Sequence, residues 1–185
     1  RSQTVTGVQT CALPIYIAFM VRDELPEEDI GKALRDLDPV RLAGHHDTFG
    51  LFLVNRMLSN FGIDLEDVHL QSIHSSSRIE AIGSGQVDCI HLSEPWVTRA
   101  RRAGTSRVVG TGYELTPGAQ WAVILFGPRL LRKEPELGRR FMMAYVRGIR
   151  QFNEGKTERN LDILERATGL ERNLLEEAGW PMMRN

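Results

Sequence analysis

Apolar residues fall along this chain in two rhythms, short runs of β-branched and aromatic side chains and longer stretches at helical spacing, and the two alternate. The run Tyr16 to Arg22 predicts a short buried strand, broken by the segment Asp23 to Gly31. Lys32 to Asp38 carries Leu34 and Leu37 one turn apart, which predicts a short helix closed by Pro39. Val40 to Ala43 then predicts a strand ending at Gly44. After a polar loop, Phe49, Leu51, Phe52, Leu53, Met57, Leu58 and Phe61 predict an amphipathic helix capped by Asp47 or Thr48 and stopped by Gly62.

Further strands are expected at Val68 to Ile73, Val87 to Leu92 and Arg107 to Gly110. Helices are expected between them, one from about Arg78 to Ser84 behind Ser75-Ser76-Ser77, one opened by Glu94-Pro95 and running through Arg102. This alternation predicts parallel pairing with right-handed crossovers. The polar, glycine- and proline-bearing stretch Thr111 to Gln120 predicts an interdomain crossing. Beyond it, a strand at Trp121 to Phe126 and helices at 129–133, 136–153 and 158–168 are expected, with one more before Gly179.

Composition narrows the function classes. A chain of 185 residues with 42% hydrophobic and 25% charged residues can bury a core in one domain or a cramped pair. With 23 basic against 24 acidic side chains it has no general attraction for nucleic acid or anionic membrane, so no nucleic-acid partner is expected. Cys11 and Cys89 match no metal-ligand spacing, and Cys89 reads as a buried thiol, with one disulfide left open. No apolar run reaches the roughly 18–20 residues that span a bilayer.

The run Gly83-Ser84-Gly85-Gln86-Val87-Asp88-Cys89-Ile90, followed by Glu94-Pro95-Trp96, resembles the signature "sGqvDa…EP" of NMT1-like, SsuA-like periplasmic solute-binding proteins of ABC import systems, the nitrate, sulfonate, taurine and pyrimidine-precursor family. Supporting pieces stand in the family's order: "GIDLEDV" from Gly62 to Val68, Lys133-Glu134-Pro135-Glu136-Leu137, and Ala167-Thr168-Gly169-Leu170. The resemblance covers about Tyr16 to Trp180. Residues 1–15 instead resemble a conceptual translation of sequencing-adapter DNA and are set aside as a non-native arm, so that a signal peptide and N-terminal portion are expected to have been lost upstream.

The resemblance implies an α/β, type II periplasmic-binding-protein fold, two-lobed, with parallel-type sheets and flanking helices and an incomplete first lobe. Residues 16–35 and 113–185 are expected in the partial first lobe and 36–112 in the second. It implies a substrate-binding component that captures a small anionic or heteroaromatic solute and delivers it to an ABC permease in the inner membrane. A monomeric, periplasmic or membrane-anchored extracytoplasmic protein is expected, with no enzymatic activity and no cofactor.

Ligand crevices of open α/β sheets lie beyond the carboxyl ends of the strands, where two helix N-termini are expected. The first is His45-His46-Asp47-Thr48-Phe49, whose amides, dipole and Thr48 hydroxyl suit an anion, while the Asp47 carboxylate suits an amine or heteroaromatic ring. His45 and His46 are candidate donors rather than metal ligands, and no metal site is expected. The second is Ser75 and Ser76, whose hydroxyls either meet ligand oxygens or cap the helix. Glu94 accepts from a ligand amine, from hinge backbone, or from the helix it precedes. Trp96 and Trp121 either stack on a planar ligand or pack in the core.

Two other readings compete. The effector-binding half of a LysR-type transcription regulator shares the two-lobed architecture, and upstream sequence separates it by a helix-turn-helix. A thiamine-precursor-forming enzyme of the same superfamily carries a cysteine-rich motif that this chain lacks.

Overall fold

A computed structural model describes residues 8–10, 16–44, 49–117 and 124–180. The chain divides into two compact units: an α/β unit of Ile15–Gly118 with Glu177–Gly179, and a second unit of Arg1–Pro14, Ala119–Glu176 and Trp180–Asn185.

Strands of the α/β unit are short segments of five or six residues, apolar throughout most of β2 and β3 and mixed in β4 and β6. Each is bounded by residues that bend or cap the chain. They are β2 (Ile17–Arg22), β3 (Val40–Gly44), β4 (Val68–Ser72), β5 (Cys89–Ser93) and β6 (Ser106–Thr111), in the sheet order β4-β3-β5-β2-β6. β3 pairs in parallel with β4 and β5, as the alternation predicts. β2 departs from that prediction, because it lies antiparallel between β5 and β6. It also departs from its expected place in the partial first lobe, since both of its hydrogen-bonded neighbours belong to this sheet. Ala18, Phe19, Met20 and Val21 are 0–3% exposed, as a central strand covered on both faces requires.

Period-2 alternation divides the core between the two faces. Phe19, Val21, Val40, Leu42 and Cys89 pack under α1 (Ile30–Arg35) and α2 (Phe49–Asn60) with Leu34, Val54, Met57 and Leu58. Ala18, Met20, Ala43, Ile90 and Leu92 pack under α3 (Ser75–Gly83) and α4 (Trp96–Ala103) with Ala81, Ile82, Val97 and Ala100. α5 (Gly112–Leu115) follows β6 and is opened by a Thr111/Glu114 capping box. α3 begins three residues earlier than expected: the imidazole of His74, outside the usual set of capping residues, accepts from the Ser76 amide, and the serines form the first turn.

The "sGqvD" run has a definite job. Gly85 turns the chain out of α3 at φ +74°, a conformation that side chains disfavour. Asp88 then enters the sheet edge at 1% exposure. Its carboxylate accepts from the Arg41 amide at 3.0 Å, from Arg41 Nε at 3.0 Å and from Arg41 Nη2 at 2.7 Å, with Arg22 Nη2 at 3.5 Å. The Asp88 amide donates to the Arg41 carbonyl at 2.8 Å, so one residue locks β3, β5 and β2 together.

Cys89 follows it, fully buried and without a disulfide. Burial, reinforced by the neighbouring Asp88 charge, pushes its thiol pKa up. A buried, protonated thiol is inert. Iodoacetamide labelling followed by peptide mass spectrometry is therefore expected to leave Cys89 unmodified in the native protein and to alkylate it fully in denaturant; fast native labelling would contradict its place in the core.

In the second unit, β1 (Val8–Thr10) and β7 (Ile124–Phe126) pair antiparallel, and a π-helical turn at Arg129–Lys133 leads into α6 (Pro135–Phe152), α7 (Glu158–Thr168) and α8 (Arg172–Glu177). Buried Ile149, Leu161, Leu174 and Leu175 belong to these helices. Asn160 is buried because its amide donates to the Gln151 and Gly155 carbonyls at 2.8 and 2.7 Å and accepts from Gln151 Nε2 at 3.1 Å. Among the described residues no helix is long and apolar enough to cross a membrane.

Candidate functional site

Parallel strands β3, β4 and β5 end on one edge of the α/β unit, and α2 and α3 both start from that edge on opposite faces of the sheet. Partial positive charge at two helix N-termini thus collects beside the carboxyl ends of the strands. A groove of about 700 Å³ lies at the opposite edge, where Val40 and Val68 begin β3 and β4 among Arg35, Asp38, Glu66 and His69. No α-helix begins among its lining residues, so the carboxyl edge is the better candidate.

At that edge β3 closes on Gly44, where a Cβ would come within 3.1 Å of the His91 imidazole. A side chain at this position would need the imidazole and Leu42 to give way by a few tenths of an ångström. His91, in β5, is 7% exposed. On the other face stands Arg78, 1% exposed, in the first turns of α3. Its Nε donates to the Ile73 carbonyl at 2.8 Å and its Nη1 to the His91 carbonyl at 2.6 Å. Burial pulls the Arg78 pKa down to about 10, which still leaves the guanidinium charged at neutral pH.

The sequence-derived site residues fare unequally. His45, His46, Asp47, Thr48 and Trp121 lie outside the described residues, and Phe49 is the first residue of α2. Ser75 and Ser76 open α3 at the candidate edge; the Ser76 hydroxyl sits 2.8 Å from His74 Nδ1. Glu94 is committed to protein donors. Its carboxylate takes the Thr98 amide at 3.1 Å, the Thr98 hydroxyl at 2.9 and 3.0 Å, and the Gly179 amide at 2.7 Å. It therefore serves the start of α4 and the Glu177–Gly179 segment. Trp96 is half-buried against the α3/α4 core, with the Arg99 guanidinium 4.7 Å over its ring, so one aromatic face is already occupied by a cation. Tyr16, beside Glu94, has its hydroxyl pKa raised by burial and then by that carboxylate.

Sequence reasoning did not select Arg78 or His91. An arginine behind three serines reads as a solvated helical side chain, and a histidine inside a strand carries no pattern of its own; only the pairing of β3 with β5 brings them to the edge. Glu94→Ala is expected to destabilise the unit by about 1–2 kcal/mol, the cost of leaving the Thr98 and Gly179 donors without their acceptor. Urea denaturation checks this, and an unchanged midpoint would remove Glu94 from the anchoring role.

A family model described as "NMT1/THI5 like" matches residues 16–154. Among solved structures, the periplasmic aliphatic sulphonate binding protein SsuA from Escherichia coli is 17% identical, with a TM-score of 0.71 over 87% of this chain and 50% of its own. The ligand binding component of an ABC-type import system from Staphylococcus aureus, solved with zinc bound, is 14% identical, with a TM-score of 0.74 over 91% of this chain and 57% of its own. The periplasmic nitrate-binding protein NrtA from Synechocystis PCC 6803 is 11% identical, with a TM-score of 0.67 over 92% of this chain and 49% of its own. The chain thus has the α/β fold of periplasmic binding proteins and spans about half the length of these structures. No curated protein matches it by sequence.

Proposed function

The chain belongs to the NMT1/THI5-like family, and from that premise we propose that it is the solute-capturing component of a bacterial ABC import system. In this reading it binds a small molecule at the carboxyl edge of the α/β unit, outside the cytoplasm, and hands it to a permease in the inner membrane. Its part is recognition rather than chemistry. The observation that carries the proposal is the convergence of two helix N-termini, the Gly44 close approach and the buried Arg78 on one sheet edge, within a chain matched by the family model. The sulfonate and nitrate proteins it resembles supply the starting set of solutes.

Isothermal calorimetry of the full chain against taurine, alkanesulfonates, nitrate, aromatic acids and hydroxymethylpyrimidine tests it. Saturable one-to-one binding of one member, with a matching rise in melting temperature, supports solute capture. Absence of binding across the whole set, in protein shown to be folded by circular dichroism, would overturn it.

A further inference from the structure

An open sheet has two edges, and an edge strand offers its outward N–H and C=O groups to any other strand unless the protein guards them. In the order β4-β3-β5-β2-β6 the edge strands are β4 and β6. β6 is guarded: its pairing with β2 shifts register between Phe19 and Met20, leaving Val109 as an extra residue, and it carries Arg107. β4 has neither device. Val68-His69-Leu70-Gln71-Ser72 holds no lysine, arginine or proline, and it runs in unbroken register with β3 from end to end. His69 and Ser72 are exposed, while Val68, Leu70 and Gln71 are half-buried. Among the described residues no strand pairs with its outer side.

The chemistry of this edge complements itself. A two-fold axis through Leu70, perpendicular to the sheet, sets β4 antiparallel to β4 of a second copy, with Leu70 opposite Leu70, His69 opposite Gln71 and Val68 opposite Ser72. Val68 and Leu70 pack against the core beneath α1 and α2. The axis therefore brings Leu70 against Leu70 on that face of one continuous sheet and the imidazole–amide pairs together on the other. It also sets the acidic turn Glu66–Asp67, just ahead of β4, alongside the Ile73–His74 segment that follows β4 in the other copy. His74 is exposed, and its Nδ1 accepts from the Ser76 amide, which puts the ring proton on Nε2 as a donor. It opens α3, whose first turn is positive, so an acidic turn is met by a donor and a helix dipole of opposite sign. Room for the segment exists, since the groove of about 700 Å³ is bordered by Glu66, Asp67, Val68 and His69. A net charge of -1 sets up no general repulsion between copies.

We infer that the outer side of β4 is a self-association surface on which two copies of the chain meet, strand against strand, in place of the monomer that the family resemblance implies. The inference goes beyond solute capture and does not depend on it. A five-residue edge buries less than about 1,000 Å², so the dimer forms and dissociates with concentration.

Sedimentation velocity of the full chain from about 10 µM to about 1 mM, the range in which a small interface dissociates, is expected to show a monomer–dimer equilibrium. Glu66→Lys, at an exposed position, is expected to weaken it about tenfold, because each dimer contains the Glu66–His74 contact twice. In a Cys11→Ser background, Leu70→Cys is expected to cross-link two copies under mild oxidation, since opposed residues of an antiparallel pair stand about 4.5–5.5 Å apart at Cα, within disulfide reach. Val68→Cys, which lies opposite Ser72 rather than itself, is expected not to cross-link. A monomer mass across the whole range overturns the inference, as does a mass beyond the dimer or a dimer unmoved by Glu66→Lys. A folded Leu70→Cys chain that stays uncross-linked, or equal cross-linking through Val68→Cys, overturns it too. Should Leu70→Cys fail to fold, amide hydrogen exchange of the wild type decides: exchange in Val68–Ser72 slows as concentration rises if β4 pairs with β4, and concentration-independent exchange there refutes the inference.

Discussion

Asp88→Ala is expected to lower the unfolding free energy of the α/β unit by about 3–5 kcal/mol, the range for removing one partner of a buried ion pair. Three features place it there. The carboxylate is 1% exposed, it accepts two side-chain bonds and one amide bond from Arg41, and it lies 3.5 Å from Arg22. Alanine would leave the Arg41 amide without its acceptor and two guanidinium groups facing each other over the gap. Arg41 and Arg22 keep partial access to water, which draws the expected value toward the lower end. Urea denaturation followed by circular dichroism should show a displaced midpoint with an unchanged slope. A loss below about 1 kcal/mol would mean that solvated arginines make the carboxylate dispensable.

Met20→Ala should cost about 2–5 kcal/mol, the span for truncating a large buried side chain where the surroundings relax only in part. Met20 is 0% exposed, in the middle of a strand flanked on both sides, and it packs with Ala18, Ala43, Ile90, Leu92 and Val97 beneath α3 and α4. Because β2 had been expected in the other lobe, this substitution also tests its place in the sheet. The same denaturation experiment reads it. A midpoint shifted by less than the equivalent of 1 kcal/mol would argue that β2 does not contribute to this core.

The contrast between these two residues shows what could be read in advance. Strands β3, β4 and β5 and the helices between them were legible, because β3 and β5 are short, mostly apolar runs ended at Gly44 and before Pro95, β4 alternates apolar and polar residues, and parallel pairing follows from the alternation of strands with helical stripes. β2 was legible as a strand and illegible as a neighbour: Ile17 to Val21 are apolar throughout, so the run announces burial on both faces but carries nothing that selects a partner or a direction. The start of α3 was misread because His74 caps with a ring nitrogen, where capping rules look for an oxygen. Glu94, a candidate for ligand contact, has its carboxylate filled by Thr98 and Gly179, and the second of these lies too far along the chain for any local pattern to reveal. Arg78 was invisible for the same reason, since its two carbonyl partners belong to a loop and a strand brought together only by the sheet.

The antiparallel insertion of β2 also orders events at the ribosome. Ile17 pairs with Ser93 and Ala18 with Thr111, so β2 finds its neighbours only about seventy to ninety residues after it is made. At about 5–20 residues per second, that interval lasts on the order of ten seconds. Throughout it an apolar strand has both edges open, a template for pairing with another nascent chain. The α/β unit therefore cannot close progressively behind the point of synthesis. Its centre is completed last, when β6 arrives, and until then β2 is a segment that a chaperone would have reason to hold.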